Sequence, residues 1–171
     1  MNVRRERADD YEAIRHIYAQ AFARPESLEP VPLEVRIFEK LWEASDAIPE
    51  LSFTALDDAR PVGHVTASRA TVDADSVVAI GPIGVLPEYQ GRGIGSALMD
   101  AHLTAADAAG VPMIVLLGAP QYYSRFGFRP AEELGLISPD PSWGEAFQAR
   151  ALTAYTPAVA GRFEYAPAFS S

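Results

Sequence analysis

The stretch GVLPEYQGRGIGSALMDA, from Gly84 to Ala101, places three glycines within five residues just ahead of a segment with helical character. The nearly apolar run Ser76–Leu86 before it is typical of a strand buried on both faces. A helix that begins after such a strand presents unpaired N–H groups and the positive end of its dipole. Glycines there let an anion approach the backbone. The pattern alone fits either an anion site or a tight turn without a ligand.

The spacing of the glycines disfavours two common phosphate-binding motifs. A P-loop places a lysine and then Ser or Thr after its last glycine, and the single lysine of the chain is Lys40. The dinucleotide fingerprint requires G-x-G-x-x-G or G-x-G-x-x-A after a first strand. Here the order is Gly91-x-Gly93-x-Gly95-Ser96, in the middle of the chain. A nucleotide-binding regulatory domain is therefore disfavoured.

A third motif fits the sequence. The segment Gln90–Gly95 (QGRGIG) resembles the Q/R-x-x-G-x-G/A pyrophosphate loop of the GNAT superfamily of acyl-CoA N-acyltransferases. Tyr123–Phe128 (YSRFGF) resembles the Y-x-x-x-G-F element of the same family, and one predicted helix and one predicted strand separate the two motifs. The segments Gly135–Phe147 and Tyr165–Phe169 (YAPAF) are similar to one bacterial subgroup of the family.

Hydrophobic periodicity predicts mixed α and β structure in one domain that spans residues 1–171. Helices are predicted to begin at Asp9 or Asp10 and to cover Leu33–Glu43, Ile94–Ala109 and Pro120–Phe126. Strands are predicted over Leu51–Asp58, Pro61–Val72, Ser76–Leu86 and Met113–Gly118, from Phe128 onward, and over Phe147–Tyr155 and Gly161–Phe169. Antiparallel strands thus come first and a strand–helix–strand unit follows.

The resemblance implies a GNAT-like α/β fold, a mixed and mostly antiparallel sheet flanked by helices, with a central splayed strand and a strand–helix–strand coenzyme A unit. Pro82 agrees with a splayed strand because it has no N–H for a ladder hydrogen bond. The resemblance also implies acetyl-CoA as the cosubstrate, with its pantetheine arm on the strand and its pyrophosphate on the loop. The residues expected to bind it are Ile83, Gly84, Val85, Gln90, Gly91, Arg92, Gly93, Ile94, Gly95 and Ser96.

Acetyl transfer to an amine requires a neutral amine, a donor to the thioester oxygen and a proton for the departing thiolate. The chain has no cysteine, so a cysteinyl acyl-enzyme is impossible and direct transfer in a ternary complex is the simplest route. By the resemblance, Tyr123 is expected to serve the sulfur and the Val85 N–H the oxygen. Ser76–Leu86 contains no carboxylate, so His64 is the best titratable candidate for the base. Glu88 is expected to face water, and a water chain is the alternative to a protein base.

Composition limits the partners of the chain. The net charge of −9 and the scattered basic residues disfavour nucleic acids and anionic membranes. No apolar stretch is long enough for a membrane span and no secretory signal is recognisable, so a cytoplasmic location is expected. Asp73-x-Asp75 is too short a cluster for a calcium loop, and no metal site is expected. Monomer and homodimer both stay open.

Together these features predict an acetyl-CoA-dependent N-acetyltransferase that acts on a small molecule or an amino-terminal amine. The acidic balance favours a cationic acceptor, because opposite charge raises the encounter rate. The alternative is a non-catalytic acyl-CoA-binding module or sensor that keeps the loop without the chemistry. Tyr123 favours the enzyme, whereas the carboxylate-free strand leaves room for the sensor.

Overall fold

The computed structural model describes residues 1–170, which contain nine strands in one sheet and five α-helices. The strands are β1 (Asn2–Arg5), β2 (Phe53–Asp57), β3 (Arg60–Val72), β4 (Asp75–Val85), β5 (Met113–Leu117), β6 (Arg129–Pro130), β7 (Leu136–Ile137), β8 (Phe147–Ala151) and β9 (Gly161–Tyr165). The helices are α1 (Tyr11–Ala21), α2 (Leu33–Glu43), α3 (Ile94–Ala108), α4 (Pro120–Tyr123) and α5 (Pro167–Ser170).

The sheet is mixed and mostly antiparallel. Its strand order is β1-β2-β3-β4-β5-β8-β6, while β9 pairs with β3 and with β7 away from this path. β4 and β5 are parallel, and α3 provides the long crossover that parallel neighbours require. The predicted fold class is confirmed: helices flank a mostly antiparallel sheet, and β4, α3 and β5 form the strand–helix–strand unit.

Elements at both ends of the chain depart from the predicted ones, and β8 ends at Ala151 and not at the predicted Tyr155. The charged N-terminus carries no predicted strand, yet β1 pairs with β2 at the sheet edge, where Val3 lies opposite Ala55. A four-residue edge strand with two arginines has too little hydrophobic alternation to reveal itself. At the other end the predicted closing strand stops at Tyr165, because Pro167 cannot donate a ladder hydrogen bond and begins α5 instead.

Helices α1 and α3 lie on opposite faces of the β3–β4 ladder. A Cβ atom on Gly63 would lie 3.1 Å from the side chain of Ile94 in α3. The next position of β3 is His64, which pairs with Gly84, and a Cβ atom on Gly84 would lie 3.1 Å from the ring of Tyr18 in α1. Successive residues of a strand point to opposite faces. The two glycines therefore let both helices pack closely on the same pair of strands.

Strand β4 leaves its parallel neighbour well before its own end. β4 and β5 pair only at Val78 with Ile114 and at Ala79 with Val115, although β4 continues to Val85. Within residues 1–170 no other strand pairs with the β5-facing edge of β4 beyond this point. The predicted splayed strand is confirmed, and the splay opens a gap between β4 and β5.

A buried carboxylate fixes the start of α1. Asp10 accepts two hydrogen bonds from the Arg4 side chain, at 2.8 and 3.0 Å, one from the Arg7 N–H at 2.8 Å and one from the Thr54 hydroxyl at 3.3 Å. Burial acts to raise the pKa of the Asp10 carboxyl group, but these hydrogen bonds and the Arg4 charge outweigh it, so the pKa lies below its ordinary value. The cluster ties α1, which carries Tyr18, to the sheet edge.

We expect Asp10→Asn to lower the free energy of unfolding at pH 7 by about 2 kcal/mol, because Arg4 loses its charged partner. For a domain of this size that corresponds to a fall of about 4–8 °C in Tm. The folded pKa lies below the unfolded value of about 3.9, so the contribution is complete above that value and is lost as the pH falls through the folded pKa. Thermal melts at pH 7 and pH 3 measure the effect, and the gap between variant and wild type should narrow at pH 3.

The control for this substitution is Asp9→Asn, which changes an exposed neighbour. It should leave Tm within about 1 °C of the wild type at both pH values, as expected for a surface change away from special features. An Asp10→Asn variant that melts with the wild type at pH 7 would show that the cluster does not stabilise the fold.

Candidate active site

The glycine-rich turn ends β4 and starts α3. Gly91 and Gly93 have φ angles of 75° and 80°, in the left-handed region that other residues rarely adopt. Gly93 is the N-cap residue of α3, whose 15 residues align their peptide dipoles behind it. A Cβ atom on either glycine would meet no atom within 4 Å, so the turn faces open space. The first N–H groups of α3 are therefore accessible to an anion.

A cavity of about 390 Å³ lies over this turn. Its lining consists of Val85, Tyr89, Gln90, Gly91, Gly93, Ile94, Gly95, Ser96, Tyr122 and Arg125. The lining includes every residue predicted for the pyrophosphate except Arg92, whose guanidinium lies 5.1 Å from the ring centroid of Tyr89. The cation in the lining is Arg125, which lies over the ring of Tyr122 at 4.7 Å. The role of Arg92 stays a prediction.

The unpaired edge of β4 turns peptide groups into the gap left by the splay. In an antiparallel ladder, hydrogen-bonded and non-hydrogen-bonded pairs alternate. Leu86 donates its N–H to the Val62 carbonyl at 2.8 Å, so the adjacent Val85 belongs to a non-hydrogen-bonded position of the β3–β4 ladder. The Val85 N–H therefore points away from β3 and into the gap, and the same alternation directs the Ile83 N–H there. The Gln90 side chain donates to the Val85 carbonyl at 3.0 Å.

A second cavity, of about 240 Å³, continues the first along β4. It is lined by Ala21, Phe22, Ile83, Gly84, Val85, Gln90, Gly95, Tyr122 and Tyr123. Four of these residues, Val85, Gln90, Gly95 and Tyr122, also line the cavity over the turn. The two cavities thus form one acyl groove, which we define by these lining residues and which leads from the glycine turn to Tyr123.

Tyr123, at the end of α4, is seated directly over a glycine. A Cβ atom on Gly118 would overlap the Tyr123 ring, so only a glycine leaves room for the ring as it stands. Gln148, a buried residue of β8, donates to the Gly118 carbonyl at 2.9 Å, and Gly118 donates to the Ala146 carbonyl at 2.9 Å. Burial, with a smaller effect of Tyr122, raises the pKa of Tyr123 to about 12. The phenol keeps its proton at neutral pH and can donate it.

His64 lines neither cavity. Its side chain is fully buried on β3, with Nε2 2.9 Å from the Glu6 carboxylate and Nδ1 2.7 Å from the Tyr18 hydroxyl. An amine in the acyl groove has no direct contact with this ring, and the role of His64 as the base stays a prediction. Glu88 is exposed, as expected, and forms an ion pair with Arg60 at 3.3 Å.

Five residues that line the acyl groove were not predicted from the sequence as site residues: Ala21, Phe22, Tyr89, Tyr122 and Arg125. Arg125 lies within the Y-x-x-x-G-F element at a position that the motif leaves open. The 3-10 turn Ser124–Phe126, directly after α4, carries it beside the start of α3. The available signal was an arginine two residues after the motif tyrosine, next to an expected anion. Ala21 and Phe22 carry no such signal, since they look like ordinary residues of an amphipathic helix.

In the part of the chain that the structure describes, two further features bear on function: the grouping of possible metal ligands and the length of the helices. Within residues 1–170 no group of three or more His, Cys, Asp or Glu side chains is placed to hold a metal ion. The helices of the same range lack the length and apolar character needed to cross a membrane. Asp73 has a structural contact instead, because its carboxylate accepts the Arg162 N–H at 2.9 Å.

Known proteins resemble the chain in both sequence and structure. The model of the acetyltransferase (GNAT) family matches residues 11–128, which include the glycine turn and Tyr123. YjhQ of Escherichia coli K12, described as an uncharacterized N-acetyltransferase, is 34% identical over 113 residues, 63% of this chain and 62% of YjhQ. YhbS of the same strain, described in the same way, is 31% identical over 122 residues, 70% of this chain and 72% of YhbS. The match thus spans less than two thirds of YjhQ.

Two solved structures share the fold over almost the whole chain. The GNAT family N-acetyltransferase YhbS from Escherichia coli, in complex with CoA, has a TM-score of 0.86 and 26% identity and covers 99% of this chain and 92% of its own. A GNAT family acetyltransferase from Brucella melitensis, in complex with acetyl-CoA, has a TM-score of 0.78 and 30% identity and covers 98% and 97%. The similarity therefore extends well beyond the short motifs.

We expect Gly93→Ala to weaken the binding of coenzyme A about tenfold or more, because a Cβ atom strains the left-handed turn and redirects N–H groups that face the anion. Gly110→Ala is the matched control. Gly110 has a φ of 78°, faces open space and lies just beyond the other end of α3. Isothermal titration calorimetry with melting curves compares the two variants. A folded Gly93→Ala protein with wild-type affinity, or an equal loss in both variants, would contradict the assignment of the turn.

Proposed function

The chain belongs to the GNAT acetyltransferase family, and we propose that it transfers an acetyl group from acetyl-CoA to a primary amine, directly within a ternary complex. The observation that carries this proposal is the acyl groove, which runs from the glycine turn along the unpaired edge of β4 to Tyr123. Three kinds of group line the acyl groove, in order from the glycine turn to Tyr123. They are the helix N–H groups that can bind an anion, the free peptide N–H groups of β4 and a protonated phenol. These are the groups that a coenzyme A thioester needs.

The residues of the acyl groove fit acetyl-CoA. We assign the pyrophosphate to Gln90–Ser96, where the start of α3 offers N–H groups and a favourable dipole. Arg125 adds a cation beside the turn, and Arg92, at its exposed tip, is proposed as a further phosphate contact. We assign the pantetheine arm to Ile83–Val85, because peptide groups on a free strand edge can pair with an added strand-like segment. Gly84 lies between the two residues whose N–H groups face the gap.

Two groups of the chain are proposed to act on the reacting atoms. Bound acetyl-CoA supplies a thioester, whose carbonyl carbon the amine attacks. The Val85 N–H is proposed to donate to the thioester oxygen as negative charge develops there. Tyr123 is proposed to donate its proton to the sulfur as the carbon–sulfur bond breaks. Its pKa of about 12 supports this role, since the hydroxyl stays protonated throughout the neutral range.

The acceptor is proposed to be a primary amine on a small molecule or at a peptide N-terminus. A net charge of −9 favours a cationic acceptor during encounter. The amine must lose a proton to attack, and a chain of water molecules to the solvent is proposed to take that proton. His64 has no surface in the acyl groove.

The alternative function, a non-catalytic acyl-CoA sensor, requires the turn but not Tyr123. The close packing of the Tyr123 ring on Gly118 favours the enzyme, because binding of the coenzyme at the turn does not need a half-buried phenol at the far end. The deciding experiment incubates the protein with acetyl-CoA and a panel of amines and measures the free thiol. Amine-dependent release of coenzyme A supports the enzyme. Binding of acetyl-CoA without release for any amine supports the sensor.

We expect Tyr123→Phe to lower kcat about 100-fold while the affinity for coenzyme A stays within about threefold, because the hydroxyl acts only as the bond to sulfur breaks. Tyr122→Phe is the matched control: its ring also lines the acyl groove, and it should lose less than about threefold in kcat. Steady-state kinetics on one accepted amine, with melting curves, compares the two. An unchanged kcat in Tyr123→Phe would mean that water or another residue gives the proton to the leaving sulfur.

Gly118→Ala tests the position of the Tyr123 ring without removing its hydroxyl group. The added methyl group overlaps the ring and must displace it, and a displacement near 1 Å at a reacting group costs about 100-fold in rate. We expect kcat to fall by at least about tenfold, with coenzyme A affinity unchanged at the distant turn. Gly118 has no left-handed φ, so backbone strain is not a competing cause. Wild-type kcat in this variant would mean that the position of the ring is not important for turnover.

A further inference from the structure

A closed polar cluster lies beneath α1, on the face of β3 opposite α3. Glu6, which follows β1, is nearly buried, and His64, Tyr18 and Thr66 are fully buried. The Glu6 carboxylate lies 2.9 Å from His64 Nε2, His64 Nδ1 lies 2.7 Å from the Tyr18 hydroxyl, and that hydroxyl lies 2.8 Å from the Thr66 hydroxyl. The rings of Tyr18 and Phe38 stand edge-on to the imidazole, with centroids 5.7 and 6.1 Å away. Water is excluded from the imidazole.

The hydroxyl group of Tyr18 also reaches β4. It lies 2.9 Å from the carbonyl oxygen of Pro82, which can only accept a hydrogen bond. The ladder is irregular at this point, because Gly81 and Pro82 both lie opposite Thr66 and the register shifts. A bulge of this kind leaves the extra residue without a ladder partner and changes the direction of the strand beyond it. Tyr18 therefore supplies the hydrogen bond that the ladder does not.

The Tyr18 hydroxyl stands at the centre of the hydrogen bonds of the cluster. Burial raises the pKa of Tyr18 well above its ordinary value, so its hydroxyl is neutral and has one proton to give. When Tyr18 donates this proton to the Pro82 carbonyl, His64 Nδ1, 2.7 Å from the Tyr18 oxygen, acts as the donor to that oxygen. On the other side of the ring, Nε2 lies 2.9 Å from the Glu6 carboxylate. Both ring nitrogens thus have a hydrogen-bond partner inside the cluster, and His64 lines neither cavity of the acyl groove.

We propose that Glu6, His64 and Tyr18 form a positioning relay that holds the β4 bulge at Pro82 and thereby aims Ile83–Val85 into the acyl groove. Pro82 directly precedes Ile83 and lies three residues before Val85, whose N–H serves the thioester oxygen under the proposed function, on which this inference rests. His64 acts on the backbone through Tyr18 and does not contact the substrate. Helix α1 carries Tyr18 and Ala21, and Phe22 is its C-cap residue, so the relay also fixes the opposite wall of the acyl groove.

Nuclear magnetic resonance tests the relay without any need for turnover. In the protein labelled with ¹⁵N, His64 should show a slowly exchanging Nδ1–H at pH 7. Tyr18→Phe should shift the backbone amide signals of Ile83, Gly84 and Val85. Tyr11→Phe, a tyrosine of the same helix that packs on Phe38 and Trp42, is the matched control and should leave those signals in place. An unprotonated Nδ1, or equal signals in Tyr18→Phe and the wild type, would overturn the relay.

Kinetics separates a positioning residue from a base. Tyr18→Phe should lower kcat about tenfold, with coenzyme A affinity within about threefold and an unchanged shape of the pH profile of kcat/KM. His64→Gln should retain more activity than His64→Ala, because the glutamine amide can still donate to Tyr18 although it cannot act as a base. Because the residues act as one unit, the double variant Tyr18→Phe/His64→Gln should have a kcat no lower than that of the less active single variant.

The opposite pattern would overturn the relay. If His64→Gln and His64→Ala are equally inactive and lose the ascending limb of the pH profile, while Tyr18→Phe keeps full kcat, then His64 is the base. If no amine on the panel is acetylated by the wild type, the proposed function fails, and the nuclear magnetic resonance measurements still decide the relay. Removal of one member of a buried polar pair can be strongly destabilising. Tyr18→Phe keeps the ring and its packing, so it remains the primary variant.

Discussion

The architecture of the site depends on one hydrogen-bonding constraint. Buried peptide groups must find partners, and β4 leaves its neighbour β5 after Ala79 while it still has six residues to run. On one side these residues are held by β3, with a bulge at Pro82, and on the other they face a gap. The peptide groups of Ile83 and Val85 that face this gap are the groups that a strand-like ligand can satisfy. The open edge of β4 thus has peptide groups without partners in the sheet, and the same edge is the central feature of the acyl groove.

Three parts of the chain shape the space along that edge. The turn with Gly91 and Gly93 opens one end and directs the start of α3 at it. Helix α1 packs against Gly84 on the far face and places Phe22 at the wall. At the other end Gly118 leaves room for the Tyr123 ring. Gly84 and Gly118 leave room for side chains that approach the backbone closely, whereas Gly91 and Gly93 allow the positive φ angles of the turn.

Much of the fold was readable in the sequence, because its elements are long and periodic. The bounds of α2 agree with the prediction to the residue, and α3 ends one residue earlier than predicted. The residues of the glycine turn that were predicted to bind the pyrophosphate line one cavity, apart from Arg92, because motif spacing fixes local geometry. Arg125 and Phe22 were not predicted to line the acyl groove, because their position there depends on how α4 and α1 pack and not on any local pattern. The environment of His64 could not be predicted from the sequence either. Glu6 lies 58 residues away in the chain, and only the antiparallel order of β1, β2 and β3 brings the two residues together.

The splay also has a consequence for association between molecules. A strand edge with unpaired peptide groups is ordinarily a site where another chain can add its own strand, and proteins protect such edges from aggregation. Here the open edge lies inside the sheet and not at its border, recessed between the last turn of α1 and α4. The space beside it is about 240 Å³, which admits a slender arm but not a strand that belongs to a second sheet. The free hydrogen-bonding groups of β4 are therefore within reach of a slender ligand and recessed from the edge of the sheet.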